Sequence, residues 1–485
     1  MSIIKKRTQA PEANHYMTPG PGLLPLVSVI IPTYNRPEYL VQTVNSVLSQ
    51  TYPNIEVIVV DDASTDDTPL VMSAYQDRIK YLRHTVNSAG EAVYNTGLSV
   101  ARGEYIDFLD HDDLFYPSKI EKQVRLLEKR KDLGLVHCGY HHIDSKGNRT
   151  ELVSFLPEGK LLEQLLNGDF IWSGAPLIRR ACLDRHDLFG DPFWCTGDWS
   201  RLLRIAMAGY PFGCLQEPLG AYRILEDSEM SNVRGLEDWQ IPTLDRVFSD
   251  PFLPPETLKK KTESYARLRL YLSGRYYAAR AWDDAQRNLS SALDLNPSWI
   301  DEPTPLLLLI SEDANGIRSR APLEYIQGMF NHLPPNAEGL RSAYTRLLSL
   351  VHLGMALNEY KNRDRSSTID SFTATFEVDD FLIKHPDIFV KILTKKAIML
   401  PKDDPIQYTE GIFQLLPPKA RSLHSMQKQT LGQIRVLSSF LDHFEGKYHS
   451  IPKKISRAIL ENPSLLTNRG VLSILSKSIV SLIRQ

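Results

Sequence analysis

The chain has 485 residues, 42% hydrophobic and 24% charged, an ordinary globular composition with room for two to four domains. Its 56 basic and 58 acidic side chains leave a formal charge of -2 and no dense basic stripe, which removes the electrostatic case for nucleic acid. The four cysteines, Cys138, Cys182, Cys195 and Cys214, form neither a CxxC pair nor a zinc spacing and read as reduced thiols.

Residues 1–25 read as a flexible tail: Lys5, Lys6 and Arg7 are followed by no apolar core, so no signal peptide is expected. No stretch reaches the roughly 20 apolar residues of a membrane span. The location expected is cytoplasmic, with any membrane contact peripheral, on the cytoplasmic face.

From Leu26 the pattern alternates. LVSVII is a β-branched run of the kind a buried parallel strand uses, and Leu40, Val44, Val47 and Leu48 then recur at helical spacing up to Pro53. The strand IEVIVVDDAS follows, then a helix from Thr68 to Asp77, the short strand IKYLRH and a helix from Ala92 to Arg102. EYIDFLD is the next strand and Ser118 to Lys131 the next helix. Such alternation predicts an α/β, doubly wound parallel sheet, whose ligands bind beyond the carboxyl ends of the strands. Three of those ends carry polar clusters: Thr33-Tyr34-Asn35, Asp61-Asp62 and Asp110-His111-Asp112-Asp113.

Three acids within four positions repel one another, and a hard divalent cation, Mg²⁺ or Mn²⁺, relieves that repulsion. No GxGxxG or GxxxxGK[ST] follows the first strand, so a dinucleotide or P-loop site is not supported. A metal-bridged diphosphate fits instead.

The segments VSVIIPTYNRPEYL, SVLSQTYPNIEVIVVDDASTDDT, NTGLSVARGEYIDFLDHDD, GDWSRLLRIAMAGYP and EPLGAYR, in that order across residues 27 to about 232, resemble the family 2 glycosyltransferases. These are inverting enzymes of the GT-A fold. The resemblance implies that Thr33 and Tyr34 pack on the base of a sugar nucleotide and that Asp62 hydrogen-bonds it, with Asp61 in a supporting role. Within the DxD-type motif, Asp112 matches the metal ligand, Asp110 the ribose or metal-water contact, and Asp113 a third member. Asp198 falls where the family places its catalytic base, with Gly197 in place of the usual first acid. Capping the helix that follows is an alternative for Asp198.

Further candidates are Asn95, which Tyr94 precedes where the family often has arginine, and Arg223, expected to face the diphosphate although the family's following histidine is absent. Trp172 and Trp194, in the segment that precedes the base, could stack on a sugar ring, with core packing as the alternative. His141 and His142, in GYHHIDSKGN, read as part of a hairpin or exposed strand rather than a metal site.

The implied donor is a UDP-, GDP- or dTDP-sugar, and the acceptor a glycan or lipid-linked hydroxyl, as in polysaccharide biosynthesis. A nucleotidyltransferase would also use sheet-end acids and a metal, but PTYNRPEYL lacks its glycine- and lysine-rich loop. A non-catalytic scaffold built on a degenerate transferase domain is the second reading, and the retention of Asp62, Asp112 and Asp198 opposes it.

The expected organisation is a tail at 1–25, a GT-A domain at 26–235, an irregular Pro-rich linker at 236–255, a tetratricopeptide-like hairpin at 256–300, and an α-helical domain at 301–485. The hairpin rests on Leu272, Tyr276, Ala285, Leu289, Ala292 and Pro297 at the repeat's spacing. The helical part is a place for a protein partner or the acceptor, or a cap on the catalytic domain. The last segment, with Val471, Leu475, Ile479 and Leu482 on one side, reads as a docked terminal helix in preference to an interfacial membrane helix.

Overall fold

A computed structural model describes residues 24–88, 92–183, 197–225, 232–251, 253–316, 321–400, 404–444 and 447–484. Nine strands form one sheet: β1 Val27–Thr33, β2 Ile55–Asp61, β3 Lys80–Arg83, β4 Tyr105–Phe108, β5 Leu114–Phe115, β6 Leu135–Ile143, β7 Arg149–Val153, β8 Leu177–Arg179 and β9 Phe212–Arg223. Seven helices accompany them: α1 Pro37–Leu48, α2 Thr68–Ser73, α3 Ala92–Val100, α4 Lys119–Lys129, α5 Leu162–Leu166, α6 Asp198–Met207 and α7 Val233–Ser249.

Strand order is β3-β2-β1-β4-β8-β6-β9-β5, with β7 paired to β6. The first four strands are parallel, and β1 is central among them. Covered on both faces, it can be apolar throughout, and Val27, Val29, Ile30 and Ile31 are fully buried. On one face α3 comes close enough that a Cβ at Gly97 would stand 2.4 Å from Ile30 Cγ2. Beyond β4 the sheet turns mixed: β8 is antiparallel to β4 and β6, and β9 is parallel to β6. This is the GT-A arrangement, and the parallel expectation holds only for its first half.

The stretch expected to be an irregular linker is mostly helix. In α7 the Asn232 side chain caps the first turn by accepting from Gly235 N at 3.0 Å, and the helix runs on through Pro242. Proline in a helix interior costs about 3 kcal/mol. Here α7 buries Leu236, Leu244, Val247 and Phe248 in the core of the sheet domain, which offsets that cost.

Beyond α7 the described chain is helical. Helices Lys261–Ala278 and Trp282–Leu295 pack as a hairpin whose turn places Arg280 at φ 57°. The following helices share a second core with Leu307, Leu347, Phe372, Phe389 and Phe413. The last helix, Arg469–Arg484, packs Val471, Ile474 and Leu475 with Val436, Ile451 and Ile455 and so docks on the helical layer, with Leu472 left exposed. Ile479 and Leu482 have side chains outside the described set. No described helix is long and apolar enough to cross a membrane.

Two seams join the layers. Leu152 N donates to Met399 O at 2.8 Å, and Lys396 Nζ reaches Glu151 at 2.9 Å. At the other seam Glu237 of α7 accepts from Arg269 at 2.9 Å, from both Arg287 nitrogens at 2.7 and 2.9 Å, and from Tyr276 OH at 2.7 Å. These donors, Arg287 foremost, hold its carboxyl at about 2, below the ordinary 4.5. A depressed carboxylate contributes stability above its unfolded value and loses it as pH falls through the folded one. Glu237→Gln should therefore cost roughly 3 kcal/mol at pH 7 and much less near pH 2. Urea midpoints at the two pH values measure this, and equal losses at both would show that α7 docks through apolar burial alone.

Candidate functional site

The carboxyl ends of β1, β2 and β4 open into a cleft of about 1260 Å³ that Thr33, Tyr34, Asp62, Asp110, Asp112 and Asp198 all line. A smaller hollow of about 410 Å³ lies between later helices, near Asp387 and Lys395, and none of these acids lines it.

The loop after β1 turns sharply, with Asn35 at φ 51° and Arg36 at φ 91°. It is pinned to the loop after β2: Asn35 N donates to Ser64 Oγ at 2.8 Å and Thr65 N to Asn35 Oδ1 at 2.9 Å. This leaves Tyr34 43% exposed at the mouth. Thr33 is buried, and its Oγ1 has no hydrogen-bond partner among the described residues. A buried hydroxyl without a partner is costly, so this atom awaits one.

The two acids after β2 have separate duties. Asp61 is buried and structural, accepting from Ser64 N at 2.8 Å and from Tyr81 OH, with Arg83 at 3.4 Å. Asp62 reaches the cleft, where its carboxylate accepts from Ser88 N at 3.0 Å and Ser88 Oγ at 2.7 Å and meets His84 Nδ1 at 2.7 Å.

After β4 the acids fan out. Asp110 accepts from Tyr94 OH at 2.7 Å and Ser173 Oγ at 2.6 Å. Asp112 lines the cleft with its carboxyl raised, first by burial and further by Asp110, while His111 and Arg223 pull it back. Asp113 turns away. It is fully buried, accepts from the Trp172 indole N–H at 2.5 Å and Arg223 N at 2.8 Å, and is pushed well up by burial and by Asp112. Asp113 therefore shapes the loop.

Arg223 and Trp172 line the cleft and carry structural contacts besides, whereas Asn95 does not line it. Arg223 is buried and clamps the loop: Nε donates to Asp112 O at 2.7 Å, Nη1 to Asp144 O and Ser145 O at 3.2 Å, and Nη2 to Gln42 at 3.0 Å. So engaged, it braces the acid loop, and it also lines the cleft. Asn95 lies on the exposed side of α3, and Tyr94, one residue earlier, is the one that meets the cleft. Trp172 lines the cleft and is packed beside Tyr140 and Tyr222 with ring centroids 5.4 and 6.5 Å away, its indole orienting Asp113. Trp194 lies outside the described residues.

His141 and His142 sit in the β6–β7 hairpin. His141 is buried against Tyr116 at 2.9 Å and pushed down to about 4 by burial, which excludes the exposed-strand alternative for it.

Asp198 is the first residue of α6, after Gly197 at φ 93°, and its Oδ1 accepts Trp199 N at 2.8 Å. The side chain therefore satisfies a helix-start amide and lines the cleft at once. Burial raises its carboxyl, Arg201 opposes this, and Asp110 adds to it. Arg201 is held over the rings of Tyr94 and Phe108, 4.8 and 4.4 Å from their centroids.

The sequence reading missed Asp169. It lines the cleft and is pushed well above its ordinary value by burial and then by the charge of Asp198. Its Oδ1 accepts Ile171 N at 3.0 Å, a local turn that gave no sequence signal of function. Trp239 of α7, missed because α7 was read as a linker, lies where a Cβ on Gly197 would meet its ring at 3.4 Å. Among the described residues no group of three or more His, Cys, Asp and Glu is arranged to hold a metal by itself.

Residues 28–186 match the family model described as glycosyl transferase family 2. An uncharacterized glycosyltransferase of Rickettsia typhi is 46% identical over 194 residues, covering 38% of this chain and 60% of the relative. The putative teichuronic acid biosynthesis glycosyltransferase TuaG of Bacillus subtilis is 31% identical over 220 residues, covering 43% of this chain and 82% of TuaG. The chain spans between 28 and 60% of the length of the rickettsial relatives it matches. Among solved structures, a mannosyltransferase from Pyrobaculum calidifontis in complex with GDP-Man and Mn²⁺ aligns with 65% of this chain and 89% of its own, at 19% identity and TM-score 0.42.

Proposed function

Since this chain belongs to glycosyl transferase family 2, we propose that it moves a sugar from a nucleoside-diphosphate sugar to a hydroxyl of a glycan or lipid-linked acceptor, with inversion. The observation that carries this reading is the meeting in one cleft of Asp112 on the acid loop, Asp198 at the start of α6 and the Thr33 hydroxyl, which has no partner among the described residues.

Asp110 and Asp112 fit Mg²⁺ or Mn²⁺. Both are hard oxygen donors lining the cleft, and Asp112 lies within range of a like charge that raises it. Such a cation is commonly held by one or two carboxylates, its other places going to water and phosphate oxygens. When bound, it neutralises charge on the departing diphosphate.

The rest is the chain's own work. Thr33 and Tyr34 receive the base, with Asp62 reaching it on exchanging its Ser88 contacts. Tyr94 and Ser173 hold Asp110 toward the ribose. Asp198 takes the proton of the acceptor hydroxyl as that oxygen attacks the anomeric carbon from the side opposite the diphosphate. The hairpin Lys261–Leu295, read as one tetratricopeptide-like unit, braces α7 through Glu237 and thereby the Trp239 wall of the cleft.

Calorimetric titration of UDP, GDP and dTDP, each with Mn²⁺ and with EDTA, tests the donor side. One nucleotide should bind only with the cation, and Asp112→Ala should weaken it tenfold or more. Binding of none of them would sink the donor reading.

A further inference from the structure

At one end of the helical layer leucines point outward. The helix Ile451–Glu461 and the last helix, Arg469–Arg484, pack as a hairpin joined by the short 3-10 turn Pro463–Thr467. Leu460 stands one residue from the end of the first helix, Leu466 in the turn and Leu472 in the first turn of the last helix. At a rise of about 1.5 Å per residue, both helical leucines lie within about 6 Å of the turn, so the three share the hairpin's tip. They are 82, 53 and 44% exposed, and Leu460 is the most exposed large apolar side chain among the described residues. Single exposed leucines are ordinary, but three gathered on one tip mark a contact surface.

The polar groups of the tip are turned on themselves. Ser464 Oγ donates to Asn462 Oδ1 at 2.6 Å, Thr467 Oγ1 to Ser464 O at 2.8 Å and Gly470 N to Asn468 Oδ1 at 2.9 Å. Leu465 N and Asn468 N close the turn on Asn462 O and Leu465 O, both at 3.1 Å. A tip so satisfied loses little hydrogen bonding when it leaves bulk water.

Charge selects the partner. Residues 427–485 hold nine basic and three acidic side chains, in a chain of net charge -2 whose remainder is therefore acidic. Glu461, the one acid between Ile451 and Lys477, is held by Arg435 at 2.9 Å and Arg457 at 3.3 Å. Exposed Lys453 and Arg457 share the side of the helix that ends in Leu460, and Lys477 is exposed beyond Leu472. The tip rests on the helix Gln427–Phe444, where a Cβ at Gly432 would stand 3.0 Å from Asn462 Cβ, and Lys428, one turn earlier, is exposed.

We propose that this tip is a peripheral docking site for an anionic lipid surface. Leu460, Leu466 and Leu472 enter the headgroup–acyl boundary, the flanking cations meet lipid phosphates, and the acidic remainder of the molecule is held off the surface. A second copy of the chain would bring the same positive charge to the tip, which opposes a symmetric self-contact there.

Sedimentation of the full chain with vesicles tests this. Wild type should bind vesicles of phosphatidylcholine and phosphatidylglycerol at least tenfold more strongly than vesicles of phosphatidylcholine alone. Leu460→Ser combined with Leu466→Ser should weaken binding to the anionic vesicles tenfold or more. Its urea midpoint should stay near that of wild type, because both side chains are already exposed in the fold. No binding to anionic vesicles, equal binding to the two compositions, or binding that the leucine variant leaves unchanged overturns the inference. So does a wild-type oligomer in light scattering that the leucine variant converts to monomer, since a second copy then covers the tip.

Discussion

Asp198→Asn should lower sugar transfer by about 10²- to 10⁴-fold while leaving nucleotide affinity within about twofold. Asparagine keeps the size of the side chain and an oxygen for the Trp199 amide, so the start of α6 should survive. What is lost is a group able to take a proton. The wild-type rate should carry a matching pH signature. Asp198 must be ionised to act, and burial and Asp110 raise its carboxyl above the ordinary 3.8. The rate should therefore fall on acidification at a pH above the usual carboxylate range. Asp169 and Asp198 titrate as a pair, so the apparent value belongs to both. Asp169→Asn leaves Asp198 to titrate without that partner and should reduce the acid limb to a single step. If Asp198→Asn kept near-normal turnover, the base assignment would fall and Asp169 would be the next acid to replace.

The second large effect is on stability. Lys119→Ala should cost about 3–5 kcal/mol, the usual result of leaving a buried charge without its partner. Lys119 Nζ lies 2.6 Å from Asp107 Oδ2, and both side chains are fully buried. Even beside the lysine, burial pushes Asp107 up to about 6. Without the lysine it should rise further, which sets the sign of the pH dependence. A group whose folded value is raised destabilises the fold as pH rises through that value, so the loss should be larger at pH 8 than at pH 5. Urea midpoints at the two pH values measure it. Asp107→Asn combined with Lys119→Met should recover most of the loss. Asp107 lies on β4 just before the acid loop and Lys119 begins α4 just after it, so the pair fastens both ends of the segment carrying Asp110 and Asp112. An equal loss in the double variant would mean that packing, not charge, holds the loop.

Much of this was readable along the chain. The alternation from Leu26 to Lys131 fixed four parallel strands and their helices, because apolar runs covered on both faces have few other structures open to them. It also placed Thr33, Asp62 and the 110–113 acids at strand ends, where such sheets bind ligands. The linker reading failed at α7. Pro242 and a polar composition argue locally against a helix, and only the burial of Leu236, Leu244 and Val247 outweighs them.

Roles within the acid loop could not be read from spacing. Asp110, Asp112 and Asp113 look equivalent in sequence, yet Asp113 is drawn inward by Trp172 and Arg223, residues 59 and 110 positions away. The same long-range geometry turns Arg223 into a clamp and places Asp169 within reach of the charge on Asp198.

The sequence by itself determined the first four strands, their helices and the acids delivered to the strand ends, since these follow from short-range periodicity. Tertiary structure alone decided which acids face the cleft, which are spent on the fold, and that helices beyond residue 260 line part of the cleft. Those outcomes depend on burial and charge between segments that only folding brings together.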